Sequence, residues 1–188
     1  MKACFGVHAR QIVNELSSTL ARMSDAKAEE LTDLALNAER IFLAGCGRSG
    51  LAVRAFAMRL MHLGFHACVV GETTTPSITD RDLLLIGSGS GATGSLLVMA
   101  EKARSLGARI ALVTIRADSP IARLADCVLT ISAPTPKIEG DTGFRSIQPM
   151  GSLFEQCLLL TLDALVLGFM EKAGKDSAEM FGRHANLE

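Results

Sequence analysis

The chain is 188 residues long and sets 19 Lys plus Arg against 20 Asp plus Glu, a net charge of -1, which argues against a nucleic-acid partner because such binding needs a surplus of basic side chains. With 48% hydrophobic and 21% charged residues it has the material for a sizeable core and does not have the composition of a disordered chain. Its aromatic residues are eight Phe with no Trp or Tyr, so stacking platforms for bases are scarce.

Apolar residues at Ile12, Val13, Leu16 and Leu20 recur at helical spacing, and Ser24 or Asp25 can cap a second helix through Leu31, Leu34 and Ala38. From Arg40 the texture changes. Ile41 to Ala44 is a short apolar run that ends in Gly45-Cys46-Gly47-Arg48-Ser49-Gly50, after which a helical pattern continues to about Leu63. Ala67 to Val70 predicts a second strand and Leu83 to Ile86 a third. The third ends in Gly87-Ser88-Gly89-Ser90-Gly91 and leads into a helix through Leu96, Val98, Ala100 and Ala103. Arg109 to Thr114 predicts a fourth strand, Pro120 to Ala125 a short helix and Cys127 to Ile131 a fifth strand.

Continuous apolar strands alternating with helices imply a parallel sheet covered on both faces. The expected fold is an α/β three-layer sandwich on a five-stranded parallel sheet, in the common doubly wound order 2-1-3-4-5. The stretch 132–149 carries Pro134, Pro136, Gly140, Gly143 and Pro149 and predicts an irregular loop long enough to serve function. Pro149 suits the first residue of a long helix to about Ala173. Residues 174–188 form a polar tail with Met180, Phe181 and Leu187 as anchors. The whole is expected to be one domain, with N-terminal helices in 1–38, a βαβ core in 39–131, the long helix in 149–173 and the tail in 174–188.

The five cysteines are scattered without a C-x-x-C pair and read as reduced intracellular thiols. Residues 1–11 hold no apolar signal region, and the most apolar run, Cys157 to Met170, is interrupted by Asp163 and short for a bilayer. A cytoplasmic protein without a membrane partner is expected. The positive mean hydropathy, +0.30, suggests that a second subunit covers some apolar surface.

Each glycine-rich loop lies between a strand end and a helix start. There free N–H groups and the helix dipole favour an anion, and glycines let the backbone approach it. Taken singly, either loop could be a tight turn with a helix cap. Gly45-x-Gly47-x-x-Gly50 with Glu72 downstream also fits a dinucleotide fingerprint, whereas Leu51 stands where a Walker lysine would be. The hydroxyls of the second loop, Ser88, Ser90, Thr93 and Ser95, suit a phosphate monoester better than a pyrophosphate. In the order 2-1-3-4-5 the first and third strands are neighbours, so both loops would line one crevice.

Glu155 lies among Leu153, Phe154, Cys157, Leu158, Leu159 and Leu160, where a carboxylate is costly unless paired, hydrated or used. It is a candidate general base, with a salt bridge to a nearby arginine or a solvated position at the mouth of the crevice as the plain alternatives. Asp163 raises the same question from farther along the helix. Of the four histidines, His62 falls near a helix C-terminus and His184 in the tail. No metal-ligand spacing appears, so neither a metal nor a cofactor is expected. Cys46, beside Arg48, reads as a small spacer between glycines.

Gly45-Cys46-Gly47-Arg48-Ser49-Gly50 with Phe56-Ala57-Met58-Arg59-Leu60, Val70-Gly71-Glu72-Thr73-Thr74-Thr75-Pro76, Gly87-Ser88-Gly89-Ser90-Gly91, Pro149-Met150-Gly151-Ser152-Leu153-Phe154-Glu155 and Arg183-His184-Ala185-Asn186-Leu187-Glu188 resemble the 6-phospho-3-hexuloisomerase branch of the sugar isomerase (SIS) domain family. The resemblance covers nearly the whole chain from Arg40 onward. It implies isomerisation of D-arabino-3-hexulose 6-phosphate to fructose 6-phosphate, the second step of formaldehyde fixation in the ribulose monophosphate pathway. It also implies a homotetramer with active sites near subunit boundaries. On this basis Glu155 is the expected base and His184 the second acid/base, supplied by its own or a neighbouring subunit, with His62 as a further candidate. Gly47, Arg48, Ser49, Ser88, Gly89, Ser90 and Thr93 are the expected substrate-binding residues. The family's second loop usually carries Glu where this chain has Ala92, which affects affinity more than the backbone cradle. A sugar-phosphate sensor and an arabinose 5-phosphate isomerase are the competing readings; no helix-turn-helix or basic surface accompanies the domain, and the latter enzymes usually carry additional regulatory domains.

Overall fold

In the computed structural model, residues 4–134 and 145–187 are described. The elements in chain order are α1 (Phe5–Leu20), α2 (Asp25–Leu36), β1 (Ile41–Gly45), α3 (Gly47–Leu63), β2 (Ala67–Val69), β3 (Leu83–Gly87), α4 (Gly94–Ser105), β4 (Arg109–Thr114), β5 (Cys127–Thr130), α5 (Ser152–Ala173) and α6 (Ser177–Phe181). The five strands form one sheet in the order β2-β1-β3-β4-β5, and every pairing is parallel. This is the expected doubly wound arrangement.

Alternation along each strand divides the core between the two sheet faces. Ile41, Leu43, Leu83, Leu85, Ala111 and Val113 join one buried cluster with residues of α2, α3 and α5. Phe42, Ala44, Leu84, Ile86, Ile110 and Leu112 join the other with α4. Each fully buried Leu, Ile or Phe contributes about 1.5–3 kcal/mol relative to exposure, so both faces are needed to hold the sheet. Phe169 of α5 stacks on Phe56 of α3 at 6.3 Å between centroids and tilts against Phe65 at 5.3 Å. These contacts lock α5 beside α3.

Three local expectations need correction. The long helix begins at Ser152, not Pro149, because Met150 has a left-handed backbone (φ 59°) that interrupts the helical ladder. Pro149 instead accepts a hydrogen bond from Ser152 N–H in the turn before the helix. Pro120 to Ala125 forms successive turns with Leu124 N–H to Ile121 and Ala125 N–H to Ala122 carbonyls, too few bonds to propagate a helix. The tail contains a short helix, α6, closed by a capping box between Asp176 and Glu179. That D-x-x-E spacing is readable in the sequence.

α5 is long and apolar enough to cross a membrane by length and composition, in contrast to the short run expected. Half of it is buried within the protein, as befits a core helix. Residues 135–144, the centre of the proline- and glycine-containing loop, lie outside the described residues.

Candidate functional site

Gly45 and Gly87 are register partners at the ends of β1 and β3. The two glycine-rich loops therefore leave adjacent strands at the same level. Close packing requires glycine here: a Cβ on Gly50 would stand 2.6 Å from the Gly45 carbonyl oxygen, so the turn from β1 into α3 has no room for a side chain. Gly47 supplies a positive φ of 58° at the first residue of α3.

Between the loops lies a pocket of about 260 Å³ lined by Gly47, Arg48 and Ser49 from α3, Ser88, Gly89, Ser90 and Thr93 from the second loop, Met150 and Gly151 from the turn before α5, and Phe154 and Glu155 from its first turn. All seven expected substrate-binding residues and Glu155 line it. Sequence reasoning missed Met150, Gly151 and Phe154 as wall residues, although Phe154 adjoins Glu155 and Gly151 stands one helical turn before it, its carbonyl accepting from the Glu155 N–H. A Cβ on Gly89 would stand 3.2 Å from the Phe154 ring, so the second loop packs closely on α5.

Three helices begin at this pocket: α3, α4 and α5. None has a side chain capping its first turn; the N-cap residues Cys46, Thr93 and Gly151 make no such bond. Of the helices that begin elsewhere, α2 and α6 are capped by Ser24 and Asp176, while α1, which follows Cys4, is uncapped as well. First-turn N–H groups are orphan donors, and each N-terminus carries roughly half a positive charge. Three uncapped N-termini around one cavity make a site for a small, highly charged anion.

Glu155 lies in the first turn of α5 with its side chain 22% exposed, and Arg48 Nε donates to its Oε2 at 2.8 Å. The carboxylate is thus paired at the pocket wall. Ser88 is buried, and its backbone N–H is spent on the Val113 carbonyl, which fixes the loop to the sheet. Ala92 is exposed, and its N–H donates to Ser90 Oγ at 3.3 Å. Cys46 is exposed, with Sγ 3.7 Å from Ser95 Oγ. Cys127 and Cys157 are buried, and burial pushes both thiols up to about 11, which keeps them unreactive.

Other candidates stand elsewhere. Glu72 pairs with Arg54 at 2.8 Å between exposed side chains, and Asp163 is exposed farther along α5. His62 is buried near the end of α3, roughly 22 Å along the helix from Gly47. His184 stacks on it at 5.5 Å and on Phe181 at 5.8 Å. The structure brings these histidines to each other and not to the pocket of their own chain. Among the described residues, no group of three or more His, Cys, Asp or Glu is placed to hold a metal ion.

A family model described as SIS domain matches residues 35–160. The chain is 49% identical over 181 residues to the 3-hexulose-6-phosphate isomerase of Bacillus subtilis, covering 96% of this chain and 97% of that one. It is 42% identical over 175 residues to the 3-hexulose-6-phosphate isomerase of Mycobacterium gastri, covering 93% and 87%. A Methanococcus jannaschii protein, whose crystal structure infers a function of 3-hexulose-6-phosphate isomerase, matches with a TM-score of 0.84 at 35% identity, over 96% of this chain and 99% of that chain.

Proposed function

The chain belongs to the SIS domain family, and on that premise we infer that it is a phosphosugar isomerase interconverting D-arabino-3-hexulose 6-phosphate and D-fructose 6-phosphate. The observation that carries this reading is the convergence of three uncapped helix N-termini on one pocket with a carboxylate in its wall. The N–H groups and the Ser49, Ser88, Ser90 and Thr93 hydroxyls suit the three oxygens of a phosphate monoester.

Moving the carbonyl from C3 to C2 requires removal of the C2 proton, a cis-enediolate, and return of a proton to C3. Glu155 is the proposed base for both transfers on one face of the sugar. In its absence from substrate it is held by Arg48, whose side chain is 60% exposed and therefore free to turn toward the phosphate or the developing oxyanion. Helix N–H groups stabilise the enediolate oxygens, so this scheme needs neither metal nor cofactor.

Proton exchange between O2 and O3 calls for a second group. His184, exposed in the tail, fits that role when presented to the pocket of another subunit, because it does not reach its own; His62, buried beneath it, reaches neither and serves as the surface on which His184 stacks. This favours the homotetramer, a dimer of dimers, as do exposed Leu51, Met58, Leu159 and Leu167 on α3 and α5. The reaction then serves formaldehyde fixation in the ribulose monophosphate pathway, in the cytoplasm.

A coupled assay with 3-hexulose 6-phosphate in the presence of EDTA tests this reading. Sustained turnover is expected. Binding of fructose 6-phosphate without turnover would instead mark a sensor, and turnover of arabinose 5-phosphate alone would reassign the substrate.

A further inference from the structure

Glu15 is a half-buried residue of α1, 140 positions before Glu155 in the chain. Its carboxylate is engaged by three consecutive residues of a distant segment: Ser146 Oγ donates to Oε2 at 2.7 Å, Ile147 N–H to Oε1 at 2.7 Å and Gln148 Nε2 to Oε2 at 3.1 Å. Burial pushes this carboxyl upward, but the bonds from Ser146, Ile147 and Gln148 outweigh it and hold the group below its ordinary range. Both oxygens are used, and hydrogen bonds to an ionised acceptor are about twice as strong as neutral ones.

The held segment runs directly into Pro149, Met150 and Gly151, and the last two form one side of the pocket. Among the described residues Met150 is the only non-glycine with positive φ, and it is 71% exposed. A side-chain-bearing residue in the left-handed region costs on the order of 1 kcal/mol and persists where its surroundings dictate it. Met150 has no burial of its own to dictate it. The chain on either side does so: α5 is anchored by buried Leu153, Phe154, Cys157 and Leu158, and the preceding residues are anchored by Glu15.

We propose that Glu15 is a positioning residue of the active site, a tether from α1 that holds the Met150–Gly151 lip against the substrate pocket. The proposal rests on the pocket being the phosphosugar site. Glu155 is carried by α5 and keeps its place without the tether, so loss of the tether loosens substrate binding more than it slows the chemical step.

Two variants of the full chain test this. Glu15→Ala is expected to raise KM for 3-hexulose 6-phosphate and the fructose 6-phosphate Kd roughly tenfold, with kcat within about threefold. Glu15→Gln keeps an acceptor for Ile147 N–H and a polar group for Ser146, and is expected to recover most of both. A lowered Tm with wild-type KM and Kd would reduce Glu15 to a packing role and overturn the proposal. If Glu15→Ala does not fold, the double variant Ser146→Ala/Gln148→Ala leaves α1 intact and removes two donors; wild-type KM there overturns it equally. Failure of the wild-type chain to turn over hexulose phosphate would strike the functional reading and not the tether. The order of the Gly151 amide, followed by 15N relaxation without substrate, separates the two: it is expected to fall in Glu15→Ala and to hold in Glu15→Gln, and an unchanged amide overturns the tether.

Discussion

Arg48 and Glu155 form an ion pair at 2.8 Å that ties the first turn of α3 to the first turn of α5 across the pocket. The arginine is the more exposed partner, 60% against 22%. Exposed ion pairs contribute about 0–1 kcal/mol, so an anionic substrate can draw Arg48 away at little cost and leave the carboxylate facing the sugar.

Glu155→Gln keeps the shape of the side chain and removes its basicity. Calorimetry is expected to find fructose 6-phosphate affinity within about threefold of wild type, while kcat falls by roughly 10²–10⁴. An unchanged kcat would remove this residue from the proton transfers.

Arg48→Ala is expected to act mainly on KM, raising it about tenfold or more, if the guanidinium turns to the substrate phosphate as proposed. Arg48→Lys restores the charge without the planar fork and should recover only part of the loss. Steady-state kinetics of both variants at two salt concentrations checks this, with the wild-type KM rising as salt screens the attraction between Arg48 and the substrate phosphate.

Gly50→Ala places a methyl group 2.6 Å from the Gly45 carbonyl oxygen and 3.0 Å from its carbon, backbone atoms that cannot swing aside as a side chain can. The β1–α3 turn must open, so Tm should fall by several degrees and sugar-phosphate binding should weaken with it. Gly94→Ala meets nothing within 4 Å and removes a helix glycine, so its Tm should equal or exceed wild type. Thermal melts with and without fructose 6-phosphate distinguish the two.

His62 is held below the ordinary histidine range first by burial, then by Arg59 and His184. The unfolded chain therefore binds a proton at this position near pH 6.5, where the folded chain still resists it. Stability should fall as pH drops below about 6.5. His62→Asn should flatten that part of the Tm profile. For His184→Ala, a kcat within about twofold of wild type would confine the histidine stack to a structural role.

Asp82 tests the opposite end of the sheet. Its side chain is fully buried and accepts from Arg40 Nε at 3.0 Å, Arg40 Nη2 at 2.8 Å, Thr79 N–H at 2.7 Å and Thr79 Oγ1 at 2.9 Å. Burial pushes its carboxyl upward, but these donors outweigh it and leave it lowered. Its contribution is therefore present above the usual aspartate range and lost as pH falls through the depressed value. Asp82→Asn should cost about 3 kcal/mol in denaturant melts. KM should not change, since Asp82 precedes Leu83 and lies roughly 16 Å along β3 from Gly87.

The strands and the glycine loops were legible because their signals are local. Four or five consecutive apolar residues followed by Gly-x-Gly report a buried parallel strand and its turn within a dozen positions, and β4 matches its expected bounds, Arg109–Thr114. The start of α5 was not legible in the same way: Pro149 satisfies the local rule for a first helical residue, and only the left-handed Met150 beside it defers the helix to Ser152. α6 was missed although Asp176 and Glu179 stand at capping-box spacing, because the tail offers no apolar periodicity around them.

Sequence alone determined that this chain forms apolar strands alternating with helices, the pattern of a parallel α/β sheet, with two glycine-rich turns at strand ends, since apolar period and glycine freedom act through the backbone near each residue. Only the tertiary structure decided that Arg48 meets Glu155, that Glu15 holds the segment 146–148, and that His62 and His184 stack at the far end of α3 from their own pocket. Those pairings join positions more than a hundred residues apart. Which side chain meets which across such a span is set by how α1, α3 and α5 pack on the sheet, and no local pattern encodes that contact.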